Sequence, residues 1–139
     1  MIKYYNVNPC GLHVGDCVIR ALSVVLDIPW EQVHYELCEL SRRMCDMPSS
    51  NRVYYKYLEL NGYTQHRINT ECPQCKTVED FCSTHPCGRY VLSTCDYIDA
   101  TTKIIVIGTH VIPVIDGTAY DTWMSLDEIP LLYFEKKER

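Results

Sequence analysis

The chain has no apolar run long enough to span a membrane and no surplus of basic residues, and we expect no export signal at its start. A membrane-spanning helix needs about 20 mostly apolar residues, and residues 1–6 lack the apolar stretch of a secretory signal. The net charge of −5 argues against nucleic acid as the main partner, because neutralising phosphates requires a basic face. We therefore expect a cytoplasmic protein that binds neither membranes nor nucleic acid.

Internal repeats, low-complexity tracts and linkers are also missing. We therefore expect one domain over residues 1–139, which is long enough to bury a core without disulfides. The nine cysteines are an odd number and cannot all pair within one chain, so we expect reduced thiols, metal ligands or a catalytic residue. The eleven tyrosines suit half-buried strands and a groove that binds an extended ligand.

Apolar periodicity predicts helices in the first two thirds of the chain. The first begins at Cys17 and ends near Leu26, and it is apolar nearly all round, which indicates burial between layers. Asp27 is the predicted N-cap of a second helix that continues to about Arg43. The other two predicted helices are one that follows Ser50 and stops at Asn61-Gly62, and a short one capped by Thr77 that ends at His85-Pro86.

The later part of the chain is rich in β-branched and aromatic residues, which predicts strands. Asp116-Gly117 is a strong signal for a two-residue hairpin turn. Because helices come first and strands follow, we predict an α+β fold with N-terminal helices packed on a C-terminal antiparallel sheet. The predicted strands are a weak edge strand at 2–7 and segments 63–68, 90–92, 104–107, 110–115 and 118–121.

Gly15-Asp16-Cys17 stands directly before the first apolar helix. A helix N-terminus has unpaired N–H groups and the positive end of the dipole, so it favours a thiolate over a thiol and can bind an oxyanion. Cys17 is therefore a candidate nucleophile, although a cysteine in a helix is more often a small core residue. Asp16 is a candidate N-cap whose charge opposes thiolate formation.

The predicted hairpin supplies partners for this cysteine. If Asp116-Gly117 forms the turn, Ile112 faces Asp121 and His110 faces Trp123. Asp121 would then hold the His110 imidazole and stabilise the imidazolium that forms when Cys17 loses its proton. Trp123 would shield this hydrogen bond from water. Taken singly, each of these residues has an ordinary structural explanation, and only their combination indicates catalysis.

On these motifs the chain resembles the papain-like cysteine peptidases, particularly small uncharacterised members carried by bacteria and their phages. Gly15-Asp16-Cys17 resembles the start of the central helix in that family, and Asp121-Thr122-Trp123 resembles its Asn/Asp-x-Trp motif. The resemblance implies a papain-like fold, with Cys17 as nucleophile, His110 as base and Asp121 as the orienting acid. It spans roughly residues 6–123 and includes Gly88-Arg89-Tyr90-Val91 as a core strand.

The chain departs from this family pattern ahead of the cysteine. Papain-like enzymes place an oxyanion-hole glutamine about two turns before the nucleophile, and residues 8–16 contain no glutamine. Asn8 and His13 are the candidate substitutes, and Asn8 is preferred because its amide supplies the same donor chemistry. An asparagine that simply orders the turn before Pro9 is the equally plausible alternative.

A second group of cysteines gives an alternative prediction. Cys72-Pro-Gln-Cys75 has the spacing of a zinc knuckle, and Cys82, His85 and Cys87 follow it. The irregular second half favours free thiols over a structural zinc site, and a redox pair at the first two cysteines is a further option. Apart from this zinc alternative, we expect no cofactor.

We therefore predict a cysteine-nucleophile acyl hydrolase, a peptidase acting on a peptide or protein through a thioester. The sequence does not separate a peptidase from an amidase or an acyltransferase. The alternative is a non-catalytic module of the same fold that binds a peptide or protein in a tyrosine-lined groove.

Overall fold

A computed structural model describes residues 1–68, 76–95 and 110–136 of the chain. Within these ranges the protein is α+β, as the sequence predicts, with four helices and a six-stranded sheet. The predicted strand at 104–107 and the predicted zinc ligands Cys72 and Cys75 lie outside the described residues. In chain order the elements are β1 (Ile2–Tyr4), α1 (Cys17–Leu26), α2 (Trp30–Arg43), α3 (Asn51–Leu60), β2 (Tyr63–Arg67), α4 (Val78–Thr84), β3 (Arg89–Cys95), β4 (His110–Ile115), β5 (Thr118–Asp121) and β6 (Ile129–Lys136).

The strands form one sheet in the order β1-β5-β4-β3-β6-β2. The pairs among β2 to β6 are antiparallel, whereas β1 pairs with β5 in parallel, from Ile2↔Ala119 to Tyr4↔Asp121. The prediction of a purely antiparallel sheet is therefore wrong, because the edge strand β1 makes the sheet mixed. The parallel pair reaches Asp121, and the Tyr5 N–H donates to the Asp121 carbonyl at 2.8 Å.

The strand β6 was missed by the sequence analysis, although it lies inside the sheet between β3 and β2. Pro130 near its start argues against a central strand, since proline cannot donate to the ladder. The structure accommodates Pro130 opposite Thr94, where the register between β3 and β6 shifts. A bulge of this kind leaves one backbone group outside the regular pairing, which is where proline is tolerated.

The helix boundaries agree with those predicted from the sequence except at Asp27. This residue is the C-cap of α1, with a left-handed φ of 55°, and its N–H donates to the Ser23 carbonyl. The prediction that Asp27 is the N-cap of α2 is wrong, because Pro29 occupies that position. The longest helix, α2, has 14 residues, and no helix in the described ranges is both long and apolar enough to cross a membrane.

Helices cover both faces of the sheet. Because side chains alternate along a strand, neighbouring residues of one strand pack against helices on opposite faces. Val91, Val111 and Phe134 pack with α1, α2 and α3 in one buried cluster. Leu92, Ile112 and Ala119 pack with α4 in the other cluster. The helix α4 starts with the predicted Thr77 cap, whose hydroxyl accepts the Asp80 N–H at 3.2 Å. The helix α1 is thereby fixed across β3 and β4, and its N-terminus carries Cys17.

The β4–β5 hairpin has the predicted turn at Asp116-Gly117. Both residues have positive φ, 50° and 77°, which is the geometry that a two-residue hairpin turn requires. Ile115 pairs with Thr118, as predicted. A side chain at Gly117 would place its Cβ 3.2 Å from the Cys82 carbonyl oxygen, so the turn also needs glycine for its close approach to α4. This hairpin fixes the register of the two strands that carry His110 and Asp121.

Candidate active site

Cys17 is the first residue of α1 and is partly buried. The preceding residue, Asp16, is the N-cap, and its backbone carbonyl accepts the Arg20 N–H at 2.9 Å. The Asp16 carboxylate makes no capping hydrogen bond, so it leaves the N–H groups of the first turn to other acceptors. Unpaired amides and the positive end of the helix dipole therefore lie beside the thiol.

His110 begins β4 and is buried. Its Nε2 lies 2.7 Å from Oδ2 of Asp121, the last residue of β5. Its imidazole also lies close enough to the Cys17 thiol for each group to shift the pKa of the other. Because Nε2 is taken by Asp121, Nδ1 is the nitrogen that remains for the sulfur. The structure therefore brings the three predicted catalytic side chains together in the predicted order.

Asp121 is buried, and both oxygens of its carboxylate accept hydrogen bonds. Besides His110, its Oδ2 accepts the Ser125 hydroxyl at 2.6 Å, and its Oδ1 accepts the Thr122 N–H at 2.7 Å. Ser125 is itself fully buried. Sequence reasoning missed Ser125, and its position four residues after Asp121 is the only signal that could have suggested it. These donors orient the carboxylate toward the imidazole and keep it ionised.

The environment of Cys17 favours the thiolate. Burial raises the pKa of the thiol, but the hydrogen bond and positive charge of His110, the N–H of Val111 and the charge of Arg20 together lower it below its ordinary value. Val111 lies in β4, and the pairs between β4 and β5, Val114↔Ala119 and Ile115↔Thr118, lie farther along the strand, near the turn. The backbone of β4 thus contributes a donor to the sulfur.

The pKa of His110 is raised and the pKa of Asp121 is lowered, so both groups favour their charged forms. Burial lowers the pKa of His110, but its hydrogen bonds and charge interactions with Asp121 and Cys17 prevail and raise the pKa to about 10. Burial raises the pKa of Asp121, whereas His110, Ser125 and the Thr122 N–H lower it to a net value below the ordinary one. These shifts favour a cationic imidazole beside the ionised Asp121 carboxylate and move Cys17 toward the thiolate.

Trp123 lies against the imidazole, with the ring centroids of Trp123 and His110 5.1 Å apart. The indole remains 45% exposed. Its position agrees with the predicted facing of residues 110 and 123, and one side of the indole is open to solvent. Its role as a shield of the His110–Asp121 hydrogen bond stays a prediction.

Asn8 is buried and holds the loop that leads to Cys17. Its Nδ2 donates to Asp16 Oδ2 at 3.1 Å, and its Oδ1 accepts the N–H groups of Cys10 and Leu12. These contacts match the alternative in which Asn8 orders the turn. Its assignment as an oxyanion donor stays a prediction, which would use the second N–H of Nδ2. His13, the other candidate donor, is exposed.

Asp16 is the centre of a buried polar network that sequence reasoning missed. Its Oδ2 accepts the Trp30 indole N–H at 2.9 Å as well as the Asn8 amide. Its Oδ1 lies 3.2 Å from Arg20 Nε, an ion pair without hydrogen-bond geometry. The Asp16 carboxylate, next to Cys17 in the chain, thus accepts hydrogen bonds from the loop and α2 and is paired with a cation from α1.

The second cysteine group is described only in part. Cys82 is buried on α4, and burial raises the pKa of its thiol, which disfavours the thiolate that zinc binds. The His85 ring stacks on Phe81 at 3.8 Å, and Cys87 is exposed. No group of three or more potential metal ligands occurs among residues 1–68, 76–95 and 110–136. Because Cys72 and Cys75 lie outside these ranges, the zinc alternative stays a prediction.

Comparison with known protein families, curated proteins and solved structures finds no match for this chain.

The interpretation of the site therefore rests on its own geometry. A thiol at a helix N-terminus contacts a buried imidazole, which in turn contacts a buried carboxylate that accepts two further hydrogen bonds. This arrangement can form a thiolate, deliver a proton and receive one back, which are the requirements of covalent acyl transfer.

Proposed function

We propose that this protein is a cysteine-nucleophile acyl hydrolase with a papain-like arrangement of Cys17, His110 and Asp121, and that it acts as a peptidase. The observation that carries the proposal is the continuous contact from the Cys17 thiol through His110 to Asp121, with 2.7 Å between Nε2 and Oδ2. A cysteine or histidine with only a structural role does not need this series of contacts. Nucleophilic catalysis needs a nucleophile, a base and a group that orients the base.

In the first half of the reaction the Cys17 thiolate attacks the carbonyl carbon of the substrate. The N–H of Cys17 and the positive end of α1 stabilise the oxyanion that develops. The His110 imidazolium then gives its proton to the leaving amine, the carbon–nitrogen bond breaks and a thioester to Cys17 remains. Asp121 stays ionised and holds the imidazole in one orientation, which keeps Nδ1 directed toward the sulfur.

In the second half, His110 removes a proton from water and the hydroxide attacks the thioester. The carbon–sulfur bond breaks, the acid product leaves, and the Cys17 thiolate pairs again with the imidazolium. An amine in place of water would give acyl transfer, so the same site accounts for the amidase and acyltransferase alternatives. Every step uses side chains and backbone of this chain, and the predicted cytoplasmic location would keep Cys17 reduced.

Peptides are the substrate class that the surroundings favour. Large apolar side chains are exposed on both segments next to the site, at Leu12 and Val14 before Cys17 and at Trp123 and Met124 after Asp121. Exposed apolar groups that flank a reactive centre suit a peptide with apolar side chains near the cleaved bond. The net charge of −5 does not suit a nucleic acid.

The proposal is tested with a peptidyl acyloxymethyl ketone that carries apolar residues, which alkylates an activated thiol. We expect this probe to label Cys17 ahead of the exposed Cys10 and Cys45, as mapped by peptide mass spectrometry after short incubation at pH 7. His110→Ala should remove the preference. Equal labelling of all accessible cysteines in the wild-type chain would contradict the proposal and favour the non-catalytic binding module.

A further inference from the structure

Arg20 connects the two halves of the candidate site. Its Nε lies 3.2 Å from Asp16 Oδ1, beside the nucleophile. Its Nη1 donates to Thr122 Oγ1 at 3.3 Å, and the N–H of Thr122 donates to Asp121 Oδ1. The guanidinium therefore joins the start of α1 to the segment after β5, more than a hundred residues later in the chain.

We propose that Arg20 is the positioning residue of this site, which holds the cysteine helix and the Asp121 segment at the spacing that the thiol, imidazole and carboxylate require, and which offsets the charge of Asp16 beside the thiolate. This inference rests on the proposed function and deepens it. It assigns both the alignment and the charge balance of Cys17 to one largely buried cation.

Burial and geometry separate this ion pair from those at the surface. The side chains of Arg20 and Asp16 are 13% and 4% exposed, whereas Arg42, which pairs with Glu39, is 77% exposed. Exposed pairs contribute little because water screens them. A planar guanidinium offers several donors in a fixed fork, so it can contact two acceptors on different elements, which the single ammonium of a lysine does less well.

The charge balance follows from the groups around the Cys17 sulfur. His110 and Arg20 are the cations that lower its pKa. Each is paired with a carboxylate, His110 with Asp121 and Arg20 with Asp16, the chain neighbour of Cys17. Tyr54, from α3, also lies within electrostatic range, and burial raises the pKa of its phenol, so it stays neutral. Without Arg20, Asp16 would face the thiolate as an uncompensated negative charge and would disfavour it.

The test measures the pH dependence of iodoacetamide alkylation at Cys17, followed on its own peptide by mass spectrometry. In Arg20→Gln we expect the midpoint to rise by about one pH unit, so that alkylation slows by up to about tenfold at pH values below the wild-type midpoint. Asp16→Asn combined with Arg20→Gln removes both charges and should return the midpoint close to the wild-type value. If the role of Arg20 were purely structural, adding Asp16→Asn would instead move the alkylation of Cys17 further from the wild-type profile. Arg42→Gln is the matched control and should change nothing.

Arg20→Lys separates alignment from charge and keeps the inference testable if the glutamine variant does not fold. It should retain the wild-type midpoint but slow labelling by the peptidyl acyloxymethyl ketone several-fold, because one ammonium cannot hold both Asp16 and Thr122. An unchanged midpoint in Arg20→Gln, or an unchanged labelling rate in Arg20→Lys, would overturn the role of Arg20. A wild-type Cys17 midpoint at the ordinary thiol value would instead overturn the proposed function.

Discussion

If the chain is the proposed peptidase, Cys17→Ala should eliminate its peptide hydrolysis, with a loss of at least about 1,000-fold in turnover. The loss is this large because the variant cannot form the thioester, so the imidazole and carboxylate have no nucleophile to activate. Alanine is the best helix former and Cys17 is only partly buried, so the fold should be kept. Release of a fluorophore from a quenched peptide pool measures the activity, and thermal unfolding measures the fold.

Cys38→Ala is the matched control for this substitution. Cys38 lies on α2 with its sulfur 3.9 Å from Nδ1 of His34, so it also has an imidazole neighbour. It lies inside the helix rather than at its start, and the His34 ring stacks on Trp30. We expect Cys38→Ala to keep wild-type turnover. Substantial hydrolysis by a folded Cys17→Ala variant would show that another group is the nucleophile.

His110→Ala should raise the pKa of the Cys17 thiol above its ordinary value. Burial, which raises this pKa, persists in the variant, while the hydrogen bond and positive charge of the imidazole, the largest opposing effects, are lost. A thiol whose pKa lies two units above the ambient pH is only about 1% thiolate. Alkylation of Cys17 by iodoacetamide at pH 7 should therefore slow about 10- to 100-fold, and peptide hydrolysis should be lost.

The pH at which alkylation recovers distinguishes this explanation from unfolding. In folded His110→Ala the Cys17 rate should climb toward the wild-type plateau only at high pH, whereas an unfolded chain exposes every thiol equally. His34→Ala, beside Cys38, is the corresponding control and should leave the Cys17 profile unchanged. An identical Cys17 profile in His110→Ala and the wild-type chain would show that the imidazole does not activate the thiol.

The contacts that sequence could predict are those set by local rules. The Asp116-Gly117 turn fixes the pairing of Ile115 with Thr118, and counting outward along the two strands places Asp121 and Trp123 beside His110. The start of α1 at Cys17 follows from the apolar run that it opens. Periodicity and turn chemistry are local properties, so they can be read without knowing the rest of the fold.

The contacts that sequence could not predict depend on where distant segments pack. Arg20 contacts Thr122 only because α1 lies across β3 and β4, and Asp16 meets Trp30 only because α2 folds back against α1. The parallel pairing of β1 with β5 likewise has no local signal. Tertiary packing also overrode propensity in β6, where a bulge opposite Thr94 accommodates Pro130 in an internal strand.

The central claim is that Cys17 and His110 form a thiolate and imidazolium pair oriented by Asp121, and the protonation of His110 tests it most directly. NMR of the histidine-labelled protein between pH 5 and 11 gives the pH at which His110 is half protonated. The His110 resonance is assigned by its loss in His110→Gln. The account predicts that His110 keeps its proton through neutral pH and loses it near pH 10, and that Cys17→Ala lowers this midpoint. A His110 that loses its proton near its ordinary value of 6.5, with no change in Cys17→Ala, would contradict the account.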